Sequence, residues 1–96
     1  MLMEPFIQLH TGDNVVIALQ HLDKGFEIPW NGQIIKLADT IGFGHKIAIH
    51  RIEKGAKILK YGLPIGSATQ TIAAGNHVHV HNLKSDYTID NVKQQH

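Results

Sequence analysis

Apolar and polar residues alternate in short stretches along this chain, and glycine turns separate the stretches. Alternation with a period of two is the mark of a half-buried strand. It places candidate strands at about 6–9, 14–19, 26–30, 33–37, 45–50, 57–61, 65–69 and 77–82. No window of ten or more residues carries helical periodicity with caps; Ala38-Asp39-Thr40 and Thr71-Ile72-Ala73 could each form a single turn. Asn31-Gly32 is the strongest local signal. Both residues tolerate positive φ, which suits a type I′ hairpin turn between Glu27–Trp30 and Gln33–Leu37. Pro29 cannot donate to a ladder, so the first arm reads as an edge or as irregular. Many short strands with few helices predict a compact all-β domain.

One turn is reused. Leu22-Asp-Lys-Gly25-Phe-Glu-Ile28 consists of an apolar anchor, a glycine three residues later and a second apolar residue three beyond that. Ile41–Ile47, Ile52–Ile58 and Ile72–Val78 repeat it around Gly44, Gly55 and Gly75. Each reads as an anchor, a glycine at positive φ and a new strand. The starts at 22, 41, 52 and 72 are unevenly spaced, so the chain is no solenoid. After Leu83 the sequence turns polar. We read 1–83 as the domain and 84–96 as a tail or linker, with Tyr87 and Ile89 as residues that could dock back.

Composition narrows the class. At 96 residues and 43% apolar, the chain fits one globular domain. Net charge is +1 and the basic residues are scattered, so the footprint of a nucleic-acid binder is missing. The absence of cysteine excludes disulfides and thiolate metal sites. The N-terminus does not read as a signal peptide, and Val15–Leu19, the longest apolar run, cannot span a bilayer. The expectation is a soluble, cytoplasmic protein. Short strand edges leave room for a homo-oligomer.

The candidate chemistry lies in His77-Val78-His79-Val80-His81-Asn82. On one continuous strand the three imidazoles would share a face, and the valines would pack on the other. Neighbours on that face lie roughly 6.5–7 Å apart, so two can converge on one metal. The outer pair, roughly 13 Å apart, cannot easily share an ion, and the remaining ligands would come from elsewhere. The alternative is a polar strand face bonded to backbone or water. His45 and Lys46 follow Gly44 where a strand begins, a place where sites are often built; an exposed polar turn is the plainer reading. His50 alternates with Ile47 and Ile49 and reads as a surface or semi-buried residue, and the solitary His10 and His21 read as structural. Lys60 and Tyr61, beside a glycine–proline turn, could bind a carboxylate or act in acid–base work, although Tyr61 equally suits a core aromatic with its hydroxyl at the rim. Asp13-Asn14 reads as turn chemistry. Nucleophilic catalysis has little support, since Ser67 and Ser85 lack an elbow context.

Three blocks together resemble the N-terminal SAF-type domain of the altronate and galactarate dehydratase family. They are Gly44–Ala48, Lys60–Thr69 and Gly75–Leu83, with Asp13-Asn14-Val15 and Ala18-Leu19 fitting the opening. The resemblance runs from about Ile7 to Leu83. It implies a β-clip fold of short strands and a part in removing water from a hexonate or hexarate to give a 2-keto-3-deoxy acid. It implies a divalent metal, iron(II) or manganese(II), for which His77, His79 and His81 are the expected ligands. His45, Lys46, Lys60 and Tyr61 are then the expected catalytic groups, and Lys46, Lys60 and Asn82 the expected contacts to a sugar-acid substrate. A larger catalytic subunit or C-terminal domain is the expected partner, without which the domain would be inactive. Two alternatives stay open: the small subunit of a sulfolactate sulfo-lyase, which the domain also resembles, and a non-catalytic SAF-type binding or assembly module.

Overall fold

The computed structural model describes residues 4–79 and 81–85. Nine short strands, and no helix among the described residues, follow in chain order: β1 (Phe6–Ile7), β2 (Val15–Ala18), β3 (Glu27–Trp30), β4 (Gln33–Lys36), β5 (Lys46–Ala48), β6 (Lys57–Lys60), β7 (Leu63–Ala68), β8 (His77–Val78) and β9 (Leu83–Lys84). All pairing is antiparallel. β1-β2-β5-β8 form a central four-stranded sheet, β3-β4 a hairpin, and β6-β7-β9 a three-stranded sheet. The all-β class and the placement of eight strands agree with the sequence pattern.

The central sheet is buried on both faces. Val16, Ala18, Ile47 and Phe6 leave one face and meet Leu22, Ile28, Ile35, Leu37 and Ile41 from the β3-β4 side. Val15, Ala48 and Val78 leave the other and meet Ile52, Ile58, Ala68 and Ile72 from the β6-β7 side. Alternation along β2 and β5 therefore feeds two cores rather than one core and solvent, which is why Val15-Val16 is apolar at both positions. The expectation of an irregular or edge strand at Pro29 fits, since β3 has a partner on one side only.

The reused turn proves to be half of a larger repeat. Leu22 bridges Ile41, and Ile52 bridges Ile72, so the four anchors pair two by two. Gly25 N donates to Leu37 O at 2.9 Å and Gly55 N to Ala68 O at 2.8 Å. Lys24 N donates to Thr40 Oγ1 at 3.2 Å and Lys54 N to Thr71 Oγ1 at 3.3 Å. Gly44 N donates to Ala18 O and Gly75 N to Ala48 O in the same way. The segments 22–47 and 52–78 are thus two copies of one unit: turn, hairpin, turn, strand. Uneven spacing hid this, because the repeat joins every second turn.

Two tertiary clamps fix the second copy. Asp13, 2% exposed, accepts hydrogen bonds from Tyr61 N at 3.0 Å and Gly62 N at 2.7 Å. Asn14 accepts from Leu59 N at 2.9 Å and donates to Lys57 O at 3.0 Å. Both residues therefore act over more than forty positions of chain, beyond the local turn chemistry that the sequence suggested.

The expected continuous strand over 77–82 is interrupted. β8 ends at Val78, and a turn follows in which Asn82 N donates to His79 O at 3.0 Å. β9 then pairs Leu83 and Lys84 with Ala68 and Ser67. Ordered pairing thus continues one residue past the expected boundary at 83. Val80, Tyr87, Ile89 and the rest of 86–96 lie outside the described residues.

Candidate functional site

Four imidazoles gather where β5 and β8 meet. Ile47 pairs with His77 across the ladder, and His45 lies two residues before Ile47, so His45 and His77 emerge on the same face. Their nitrogens, His45 Nδ1 and His77 Nε2, share a 2.9 Å hydrogen bond, with the donor set by the tautomers. His79 stacks against both, with ring centroids 5.4 Å from His45 and 5.2 Å from His77. His81 lies 5.7 Å from His77. The spacing argument that separated the outer histidines fails for a clear reason: the strand stops at Val78, and the following turn brings His81 back beside His77. His45 and His77 are half-buried, whereas His79 and His81 are exposed.

Asn82, expected at the substrate, is 3% exposed and engaged within its own turn. Its Oδ1 accepts from His79 N at 2.9 Å, and its Nδ2 donates to His77 O at 2.8 Å. It holds the shape that groups the imidazoles.

The environment disfavours the charged form of His77. Burial comes first in lowering its pKa below the ordinary 6.5, and the charges that His45, His79 and His81 would carry add to this. Asp39 opposes the shift, which places a carboxylate within electrostatic range. Sequence reading missed Asp39, because nothing local connects residue 39 with residue 77.

The lysines lie elsewhere. Lys46 pairs with Ile17 and Val78, on the sheet face opposite to Ile47 and the histidines. Its pKa is lowered, first by burial and then by the ammonium of Lys60. Lys60 Nζ sits over the Tyr61 ring, 5.6 Å from its centroid. Lys46, Lys60 and Tyr61 thus form a second group, apart from the histidines. Alternation at positions 45 and 46 separates them. His50 is exposed, and neither Lys46 nor Lys60 takes part in an ion pair among the described residues.

The His45–His77 contact is a hydrogen bond, so the proton of one nitrogen and the lone pair of the other are directed at each other and not at a shared ion. Among the described residues no three histidine, aspartate or glutamate side chains are placed to close on one ion. The donors are imidazoles, which suit iron(II) better than manganese(II), an ion that favours oxygen ligands.

Comparison with known proteins gives this geometry a context. The family model for the altronate/galactarate dehydratase SAF domain matches residues 4–86, and the chain belongs to that family. Altronate dehydratase from Bacillus subtilis is 45% identical over 84 residues, which is 88% of this chain and 17% of that enzyme. Altronate dehydratase from Escherichia coli is 46% identical over 81 residues, 84% of this chain and 16% of that enzyme. The alpha subunit of (2R)-sulfolactate sulfo-lyase from Chromohalobacter salexigens is 42% identical over 50 residues, 52% of this chain and 53% of that subunit. This chain therefore spans only about a sixth of the length of the altronate dehydratases it matches. Its matched relatives are lyases or lyase subunits, and in the altronate dehydratases the SAF domain is a small part of the whole. No helix among the described residues is long and apolar enough to cross a membrane.

Proposed function

We propose that this domain serves a cytoplasmic hydro-lyase of the altronate dehydratase type, removing water from a hexonate to give a 2-keto-3-deoxy acid. The observation that carries the reading is the hydrogen-bonded His45–His77 pair with His79 and His81 against it. Elimination of water from a 2,3-dihydroxy acid requires a base for the proton α to the carboxylate and an acid at the departing hydroxyl. Neutral imidazole can do either near pH 7. Burial favours the neutral form of His77, which has a lone pair to take a proton, and its bond to His45 gives that proton a route between the rings. Exposed His79 and His81 form the part of the patch that faces outward.

In such an enzyme a divalent ion supplies Lewis acidity to the departing oxygen. From this chain the exposed His79 and His81 would offer nitrogens to it, with the remaining ligands coming from the larger part of the enzyme. His77, also expected as a ligand, would then keep its bond to His45 and move protons. Lys46 and Lys60, on the opposite face and without ion-pair partners among the described residues, provide positive potential that draws a sugar acid towards the domain. The rest of the active site belongs to a larger catalytic body, and the domain alone does not turn over substrate.

A sulfo-lyase subunit is the second reading, favoured by the match to a subunit of which the aligned 50 residues are already 53%. The test is a full-length Escherichia coli altronate dehydratase in which residues 4–86 of this chain replace the matched segment. Dehydration of altronate supports the proposal. Release of sulfite from sulfolactate, on pairing with a sulfo-lyase large subunit, supports the second reading. A chimaera inert on altronate, while the parent enzyme is active, contradicts the first.

A further inference from the structure

The two copies of the repeated unit act as a control on each other. Each contains a hairpin with a two-residue turn at equivalent positions: Asn31-Gly32 between β3 and β4, and Tyr61-Gly62 between β6 and β7. All four residues have positive φ, at 50° and 79° in the first turn and 61° and 73° in the second. Asn and Gly accept that region readily, whereas a bulky aromatic does so only under strain. In the first copy the turn residues suit their conformation, although the Nε1 of the neighbouring Trp30 is buried without a hydrogen-bond partner. Trp30 turns inward against Phe6 with ring centroids 6.2 Å apart, while Asn31 and Gln33 face water.

The second copy reverses this at positions 61 and 63, whereas Pro64 and its counterpart Ile34 are exposed apolar residues in both copies. Lys60 replaces the inward tryptophan, and Tyr61 and Leu63 stand 62% and 64% exposed. Pro64 beside them is also exposed. Folding does not require this choice, because the first copy builds the same turn without it. The strain is held by a dedicated device, since the buried Asp13 carboxylate binds the amides of both turn residues. Strain maintained by surrounding structure, with exposed apolar groups as its result, marks a working surface. The described surface has no cavity to enclose a small molecule, so exposed apolar side chains on a turn held rigid by Asp13 suit a macromolecular partner.

We propose that Tyr61, Leu63 and Pro64 form the surface by which this domain seats against the larger body of its enzyme. The occupant follows from the relatives, in which more than four-fifths of the altronate dehydratase lies outside the matched segment. The proposal rests on the reading given under Proposed function. It moves Tyr61 from acid–base work to docking and leaves the histidine face free for substrate.

The test is hydroxyl-radical footprinting of the full-length chimaera described above, compared with the 96-residue chain. Ile34 on the other hairpin, 62% exposed, is the internal reference. Tyr61 and Leu63 should oxidise at least about fivefold more slowly in the chimaera, with Ile34 within about twofold, as expected for residues inside a packed interface. Tyr61→Asn with Leu63→Ser should abolish the protection of Pro64, while Tyr61→Asn raises the Tm of the separate chain by about 3 °C through relief of strain. Unchanged oxidation of Tyr61 and Leu63 overturns the docking proposal. Altronate turnover, measured on the same chimaera, decides the proposed function independently: turnover without protection leaves the function standing and removes the interface, and protection without turnover does the reverse.

Discussion

His45 Nδ1 and His77 Nε2 lie 2.9 Å apart, so one ring must donate and the other accept. The pair tolerates one added proton, because a singly protonated pair still has a donor and an acceptor. Two added protons make both nitrogens donors and break the bond. His77 is pushed below its ordinary value near 6.5, chiefly by burial. Below that value the unfolded chain binds more protons than the folded one, so stability is complete above about pH 6.5 and is lost as pH falls through the lower folded pKa. Calorimetry from about pH 8 to about pH 5.5 should show Tm falling on the acid side. His77→Gln should flatten that slope. An equally steep acid limb in the variant would place its origin elsewhere.

Asp13 is the only buried carboxylate among the described residues, and it holds a turn nearly fifty positions away. Asp13→Ala should cost about 3 kcal/mol in urea unfolding, because two charge-assisted bonds are lost and two amides are left without acceptors. A cost below about 0.5 kcal/mol would mean that water replaces the carboxylate freely.

Gly75 has φ 92°, and a Cβ there would collide with the carbonyl of Lys36. Gly44 is its counterpart in the first copy, with φ 83° and open space around a Cβ. Gly75→Ala should therefore destabilise the domain clearly more than Gly44→Ala, by about 2 kcal/mol against about 1 kcal/mol. Equal costs would show that the backbone at Lys36 yields.

Much of this fold was legible because alternation and turn residues are local signals. Asn31-Gly32 announced its hairpin, and each repeated glycine stands at positive φ. The duplication was harder to see, because it depends on which anchors bridge, Leu22 to Ile41 and Ile52 to Ile72. Offsets of 30 and 31 between alternate turns carry that signal in the sequence. The histidine patch was found by its spacing, although its geometry follows from a turn that Asn82 builds and that alternation does not reveal. The sequence marks Asp13-Asn14 only as a local turn and Asp39 not at all, because their partners lie far along the chain. His45 and Lys46 adjoin in sequence, and the strand sends such neighbours to opposite faces, so the lysines stand apart from the imidazoles.

Asn82→Ala tests its assignment as the residue that shapes this turn. It should lower stability by about 2 kcal/mol and shift the imidazole NMR signals of His77 and His79, because both side-chain bonds to their backbones are lost. Full stability with a changed substrate affinity in the chimaera would return Asn82 to the substrate.

The central claim is that the imidazole patch takes part in the chemistry of the larger enzyme. Its most direct test is the kcat of altronate dehydration by the full-length chimaera carrying His77→Gln, a change that removes the proton-accepting ring while keeping a polar side chain. We expect kcat to fall by at least about a hundredfold with KM much less affected, the signature of a lost acid or base. A variant with kcat within about twofold of the unsubstituted chimaera would contradict the claim and leave the patch a structural feature of the fold.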